Sequence, residues 1–366
     1  MSHHRALASG ATAKLHAPRT ISGYDVCPAS RLEQAHERAV AVEKSVQSGV
    51  FGRDDTIRRC IATVIAGGHG LLEGDPGQSK SRLVESLFQA LNFQTNKVGF
   101  TNDLQPRDLW DKVVHDRDSG ELIITDGPIF CEGLMADEFN NASGRTQRAL
   151  LQAMQGRVVF RGEDPAPLPE WFTVFAAENP PDVAEGTYPL SKAIKDRFMM
   201  VEFFGNIDRD ASKRVGRLGR QESQKVSVEP VLSRYEDEAT GVIRHEITDI
   251  QSVADDIVYA HTPIEEFVQD LIAKLRPDNY EKGSDHFVPQ TFSKGMNGER
   301  PVMLLPRMAK AFALMEGSKA VEFEHIQAVA PYALGAHLTH KGSRADMAAD
   351  EAIAKAFLET KNEFQP

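Results

Sequence analysis

The segment His69–Leu91 (HGLLEGDPGQSKSRLVESLFQAL) constrains this chain most. His69–Glu73 reads as a short buried strand, and Leu83, Val84, Leu87 and Leu91 put one apolar face on a helix over Lys80–Leu91. Between them lies Gly74-Asp75-Pro76-Gly77-Gln78-Ser79-Lys80-Ser81. A strand that turns through glycine straight into a helix aims backbone N–H groups and the positive helix end at one point, which favours an anion. Gly74 and Gly77 permit the tight path, Lys80 is suited to neutralise β- and γ-phosphates, and the Ser81 hydroxyl is suited to ligate Mg²⁺. The general pattern has glycine before the lysine; Ser79 stands there instead, and serine is small enough for a phosphate cradle to form. An ordinary glycine turn is the plainer reading, but it does not require strand, loop and helix in this order.

The alternation continues on both sides. Upstream, a helix from Ala29 carries Leu32, Ala35, Ala39 and Val42, and a second carries Ile57, Ile61 and Val64. Downstream, Val98–Phe100, Gly133–Asp137, Phe172–Ala177 and Met199–Phe204 read as strands, with a helix over Arg145–Gln155. Such βα alternation predicts an α/β fold whose mostly parallel sheet is covered by helices on both faces. Two segments interrupt it: Lys112–Thr125 reads as a hairpin closed by Asp-Ser-Gly, and Gly156–Phe172 as a second protrusion with a strand at Val158–Phe160. After about Gly205 the strand pattern stops, and residues 216–245 are polar and poorly periodic. Helices follow at Ile250–Val258, Ile264–Leu275, Val302–Met315 and Phe323–Leu334, which form a smaller helical domain. The expected division is a disordered extension over 1–30, the α/β nucleotide-binding domain over 31–205, an irregular connection over 206–246, the helical domain over 247–340 and a helical tail over 341–366.

Composition removes several function classes. A chain of 366 residues suits about two domains. No run of about eighteen apolar residues occurs, so no membrane span is expected. The start, MSHHRALASG, lacks the apolar core of a secretory signal, which makes the cytoplasm the expected location. Cys27, Cys60 and Cys131 are sparse and far apart, against a disulfide framework or a zinc site, and His3-His4 at a chain end reads as solvated. A net charge of −11 disfavours nucleic acid unless a basic patch exists, and the nearest candidate, Lys213-Arg214 with Arg217 and Arg220, is interrupted.

Two further strands carry chemistry. Gly133-Leu134-Met135-Ala136-Asp137-Glu138 ends an apolar strand in two acids, the first placed to hold Mg²⁺ through its water shell and the second to polarise an attacking water. Phe172–Asn179 (FTVFAAEN) ends in an amide able to bond both water and γ-phosphate. In open α/β sheets ligands sit beyond the strand carboxyl ends, where all three motifs would converge.

With these motifs in register, Gly49–Leu83, Gly127–Met154 (GPIFCEGLMADEFNNASGRTQRALLQAM) and Phe175–Phe198 (FAAENPPDVAEGTYPLSKAIKDRF) resemble the MoxR branch of AAA+ ATPases. The resemblance spans most of residues 49–204 and, more thinly, the helices to about 338. It implies an AAA+ P-loop core followed by a helical lid, and Mg²⁺-dependent hydrolysis of ATP in a homo-oligomeric, usually hexameric, ring. In that family Asp196-Arg197-Phe198 matches the segment supplying an arginine finger to the neighbouring subunit; a surface ion pair with Asp196 is the plainer reading of Arg197. Registering Ala309–Gly317 on the family pattern gives Arg300 as the lid arginine reaching the nucleotide, with Arg307 as runner-up. Val50 and Gly52 match adenine-side positions, with helix packing as the alternative. The catalytic set implied is thus Glu138, Asn179 and Arg197. Asn141, Ser143-Gly144 and Asp75 depart from the family pattern. Family members commonly remodel or mature a target, or insert metal into it, with a von Willebrand A-domain partner. A DNA-dependent ring motor and a slow nucleotide-gated structural ring are the competing readings.

Overall fold

A computed structural model of the chain describes residues 20–21, 24–25, 29–115, 121–179, 190–205, 228–237, 240–259, 262–275, 292–294, 300–335, 339–340 and 345–364. His3-His4, Cys27, the Asp-Ser-Gly turn, Pro180-Pro181 and the Lys213–Arg220 stretch lie outside the described residues.

Five strands form the central sheet: β1 (Gly70–Gly74), β2 (Thr95–Gly99), β3 (Gly133–Asp137), β4 (Thr173–Glu178) and β5 (Met200–Phe204). They are all parallel, in the order β5-β1-β4-β3-β2. The period of two along each strand divides its side chains between two apolar clusters. Leu72, Met135 and Phe175 join α1 (Ala29–Gly49), α2 (Asp54–Ile65) and α3 (Lys80–Ala90) on one face. Leu71, Leu134, Val174 and Ala176 pack on the other against α4 (Gly144–Gly156) through Leu150, Leu151, Ala153 and Met154. The expected sheet with helices on both faces is therefore present. Ser143, one of the departures from the family pattern, caps α4, its hydroxyl accepting from the Thr146 N–H at 3.3 Å.

Some limits differ from the sequence reading. β2 starts at Thr95 rather than Val98, because Thr95, Asn96 and Lys97 are exposed on an edge strand and carry no apolar signal. The strand pattern does not end at Gly205, since Arg234–Glu236 and Ile243–His245 form a hairpin. The helix expected over Ile250–Val258 runs instead over Glu246–Asp255, α5. Its start is a tertiary decision: His245 Nδ1 accepts the Ile247 N–H at 3.1 Å, and the Glu246 carboxylate accepts the Ser233 N–H at 2.7 Å. Val258-Tyr259 then leaves the helix to pair with Ala320-Val321.

The remaining helices are α6 (Thr262–Lys274), α7 (Arg300–Met315), α8 (Phe323–Leu334) and α9 (Ala345–Phe364). Their buried residues belong to the same apolar cluster as α1–α3, so the helical layer is fastened to the sheet by continuous core. Arg59 of α2 reinforces this junction, forking onto the buried Glu202 of β5 at 2.7 and 2.8 Å while its guanidinium lies 3.7 Å from the ring centre of Tyr332 in α8. Among the described residues no helix is long and apolar enough to cross a membrane.

At the start of β1 a side chain on Gly70 would stand 2.7 Å from Cδ1 of Phe175. Gly70→Ala is therefore expected to lower the free energy of unfolding by about 1–3 kcal/mol through overpacking. Urea denaturation with an unchanged slope would read this; an unmoved midpoint would mean that the Phe175 ring is not fixed against β1.

Candidate active site at the carboxyl edge of the sheet

Strands β1, β4 and β3 lie side by side, so Gly74, Asn179 and Asp137-Glu138 leave the same edge of the sheet. The loop after β1 needs left-handed backbone at three places. Gly74 has φ 152°, and a side chain there would come within 2.8 Å of the Phe204 carbonyl oxygen; Gly77 has φ 82° and faces open space. Ser79, the N-cap of α3, has φ 66°. Glycine suits that backbone freely, whereas serine costs about 1–2 kcal/mol. The departure at Ser79 is thus strain held at the site.

Lys80 is buried and turned inward. Its Nζ donates to the carbonyl oxygens of Gly74 and of Asp75, the latter at 3.0 Å, and to Asn179 Oδ1 at 3.0 Å. Burial holds its pKa below the ordinary lysine value, against the opposing pull of Asp137 and Asp75. The ammonium thereby ties the loop to the end of β4, holding acceptors that an arriving phosphate oxygen could replace. Asp75, Pro76, Gly77 and Ser79 are exposed around it, with Gln78 and Ser81 half-buried.

Asp137 pairs with Lys97 of β2 at 3.1 Å. Glu138 is exposed and has φ 55°, a backbone uncommon for a non-glycine residue, and its carboxylate accepts from Asn141 Nδ2 at 3.2 Å. Asn140 Nδ2 reaches the Asn179 carbonyl at 3.4 Å. The turn after β3 is in this way bonded both to itself and to β4. Asn141, which departs from the family pattern, is the group that holds Glu138.

An ion triad of the buried Glu178 with the half-buried Glu73 and Lys195 stands behind these groups, and the sequence reading missed it. Glu73 and Glu178 are partners in the β1–β4 register, and Lys195 bonds the first and lies 3.4 Å from the second. Burial raises the Glu73 pKa, opposed by the Lys195 charge. Lys195 ends the single helical turn Lys192–Lys195, immediately before Asp196-Arg197. The available signal was an acid at the end of each apolar strand followed by an isolated lysine.

Val50 and Gly52 lie in the α1–α2 connection. Arg82 of α3 donates to the Gly49 carbonyl at 2.8 Å, and Arg53 to the Gly205 carbonyl, just past β5, at 2.6 Å. Arg197 is half-buried. Arg300 donates to the Asp196 carbonyl at 3.4 Å and is depressed in pKa by burial and by the Arg197 charge. Arg307 instead lies against Gly67, at the amino edge of the sheet. Neither lid-arginine candidate is brought onto the Gly74–Ser81 loop. Cys131 is buried, which pushes its thiol to about 12 and leaves it inert.

Removing the triad's cation should leave the buried Glu178 and the half-buried Glu73 facing each other as carboxylates. Lys195→Met is expected to cost about 3 kcal/mol or more, measured by urea unfolding. A change below about 0.5 kcal/mol, the range of ordinary surface substitutions, would show that the triad is not holding the strand ends.

A sequence model of the ATPase family associated with various cellular activities (AAA) matches residues 69–200, and one of the AAA lid domain matches residues 289–356. Chaperone MoxR1 of Mycobacterium tuberculosis is 32% identical over 217 residues, 58% of this chain and 56% of that chaperone. The matched part of the chain thus spans little more than half of that relative's length. Protein MoxR of Methylorubrum extorquens is 28% identical over 304 residues, 81% of this chain and 85% of that protein. A crystal structure of a candidate ATPase from Cytophaga hutchinsonii superposes with a TM-score of 0.77 at 26% identity, covering 90% of this chain and 96% of that one. Together with the parallel sheet, the glycine loop that leads from its strand into α3 and the helical lid, these likenesses identify the chain as a member of the MoxR family of AAA+ ATPases.

Proposed function

We propose that the chain hydrolyses ATP at the carboxyl edge of its sheet and acts as one subunit of a homo-oligomeric ring, hexameric in the family's manner, that remodels or matures a partner protein.

The observation that carries this reading is the Lys80–Asn179 hydrogen bond, which joins the glycine loop to the end of β4 with Asp137 and Glu138 leaving the adjacent strand. In this reading Gly74–Ser81 cradles the phosphates, and Lys80 offsets their charge. Glu138 accepts a hydrogen bond from the attacking water and draws its proton as the new O–P bond forms, while Asn179 orients that water. Val50 and Gly52 stand on the adenine side. Arg197 enters the neighbouring subunit's site to offset charge on the transferring group, and Arg300 serves the nucleotide from the lid. The Ser81 hydroxyl and Asp137 carboxylate are hard oxygen donors of the kind Mg²⁺ takes, and Asp137 already draws a cation, Lys97. Mg²⁺ held there would supply charge neutralisation at the phosphates.

The same proposal divides the chain into the α/β unit over 31–205 and the lid over 247–340, joined by 206–246 and flanked by 1–30 and 341–366. It assigns the chain to the cytoplasm and gives it a von Willebrand A-domain partner. Contact with a protein is supported by the first hairpin, Asp111–His115 with Leu122–Asp126, where Val113, Leu122 and Ile124 are all more than half exposed. Large apolar side chains on a protruding ribbon are surface that a partner would cover.

Nucleotide titration and turnover separate the roles. Lys80→Ala is expected to lose ATP binding, whereas Glu138→Gln should bind ATP and lose turnover by at least about 100-fold, the usual scale of a general base. Wild-type affinity in the first or wild-type turnover in the second would overturn the assignment. Arg197→Ala should bind without hydrolysing, and mixing it with Glu138→Gln subunits should restore some activity, because some interfaces then hold both groups. No recovery on mixing would rule out an arginine acting between subunits.

A further inference from the structure

Asp137, the carboxylate read above as a metal ligand, has an ammonium for its neighbour. Lys97 lies on the edge strand β2, level with Met135 of β3, while Gly99 is level with Asp137 and brings no side chain there. From two residues back the Lys97 Nζ reaches the Asp137 carboxylate at 3.1 Å. The same Nζ stands 3.9 Å from the carboxylate of Glu85 on α3. Glu85 follows Ser81 by one helical turn, so the other candidate metal ligand and this second carboxylate share a face of α3, the helix that packs on β3.

Among the described residues Lys97 pairs with these two carboxylates and with no other. The Asp137 side chain is 27% exposed and that of Glu85 62%, so the ammonium is held by the more sheltered acid, with the more exposed one beside it. A flexible four-carbon stem lets a lysine turn between two such partners. Lys80 differs: its Nζ is fixed by the carbonyls of the loop and by Asn179, and Asp137 acts on it only at a distance, as a charge. Of the two lysines that feel Asp137, Lys97 is thus the one able to leave.

A divalent cation finds few protein oxygens at this edge. Among the described residues no cluster of three His, Cys, Asp or Glu is set to hold a metal. Binding of Mg²⁺ therefore depends on Ser81, Asp137 and the phosphates that a nucleotide brings, the manner in which this ion is commonly held. An ammonium on the one carboxylate of that set competes with the metal directly. We propose that Lys97 is a placeholder for Mg²⁺, a positioning residue that holds Asp137 until the metal and nucleotide arrive and then passes to Glu85. The exchange makes metal binding depend on nucleotide, because phosphate oxygens supply the attraction that displaces the ammonium. This inference rests on the reading of Asp137 as a metal ligand.

The test is Mn²⁺ binding to the full chain mixed with equimolar ADP, read from loss of the free-ion electron paramagnetic resonance signal, which needs no turnover. Lys97→Met keeps the stem and removes the charge, and Mn²⁺ should then bind about fivefold more tightly, a modest gain because the pair is partly exposed. A residue that merely supported the structure would give a loss instead. Lys97→Arg, which keeps the charge, should not show the gain. Glu85→Gln removes the second acceptor and should weaken Mn²⁺ binding. In the Lys97→Met background the same change should have no effect, because no ammonium is left to move. Unchanged or weaker binding in Lys97→Met, or an equal loss from Glu85→Gln in both backgrounds, would overturn the placeholder role. Asp137→Asn separates the two claims. If it binds Mn²⁺ as the parent does, the metal-ligand reading fails and the placeholder falls with it. If it weakens binding while Lys97→Met brings no gain, the ligand stands and the placeholder alone is refuted.

Discussion

Glu73 and Glu178 face each other near the ends of adjacent strands, the first half-buried and the second buried, an arrangement that like charges resist. Lys195 lies between them, and its cation makes the pair of strand ends tolerable. That contact fixes more than two carboxylates. It sets the position of the one helical turn before β5, and hence of Asp196 and Arg197, relative to the strand ends from which Gly74 and Asn179 emerge. Lys80 makes the matching connection on the other side, from the glycine loop to Asn179. Two lysines therefore join three chain segments at one edge of the sheet, and the candidate catalytic groups stand in front of them.

Strain is placed at the same edge. Ser79 and Glu138 both take left-handed backbone, and each sits at the turn between a strand and the helix that follows it. Such conformations persist only where the surroundings fix them. For Ser79 the fixing element is α3, which starts at Lys80; for Glu138 it is the turn bonded through Asn140 to β4 and through Asn141 back to its own carboxylate. The departures from the family pattern at Ser143 and Asn141 are thus accommodated locally, one as a helix cap and the other as a partner of Glu138.

The central strands were legible because they are buried on both faces and therefore apolar at nearly every position: β3 was read to the residue, and β4 to within one at each end. Edge strand β2 was shortened in the reading, since its exposed Thr95, Asn96 and Lys97 look like loop. The hairpin at 234–236 and 243–245 escaped notice for the same reason, with Tyr235, Glu236 and Ile243 exposed. α5 was misplaced by four residues because its first turn is held by His245 and by the Glu246–Ser233 bond, contacts that no periodicity reports.

The sequence by itself determined the alternation of strands and helices, the glycine loop and the polar residues that end the strands, since burial and backbone freedom leave their mark on residue type. Tertiary structure alone decided which of those ends are neighbours. It brought Asn179 to Lys80, set Lys195 between two glutamates and carried Arg307 to the far edge of the sheet rather than to the loop. Strand order and helix docking are fixed by the summed packing of residues distant in the chain, and no local pattern encodes that sum.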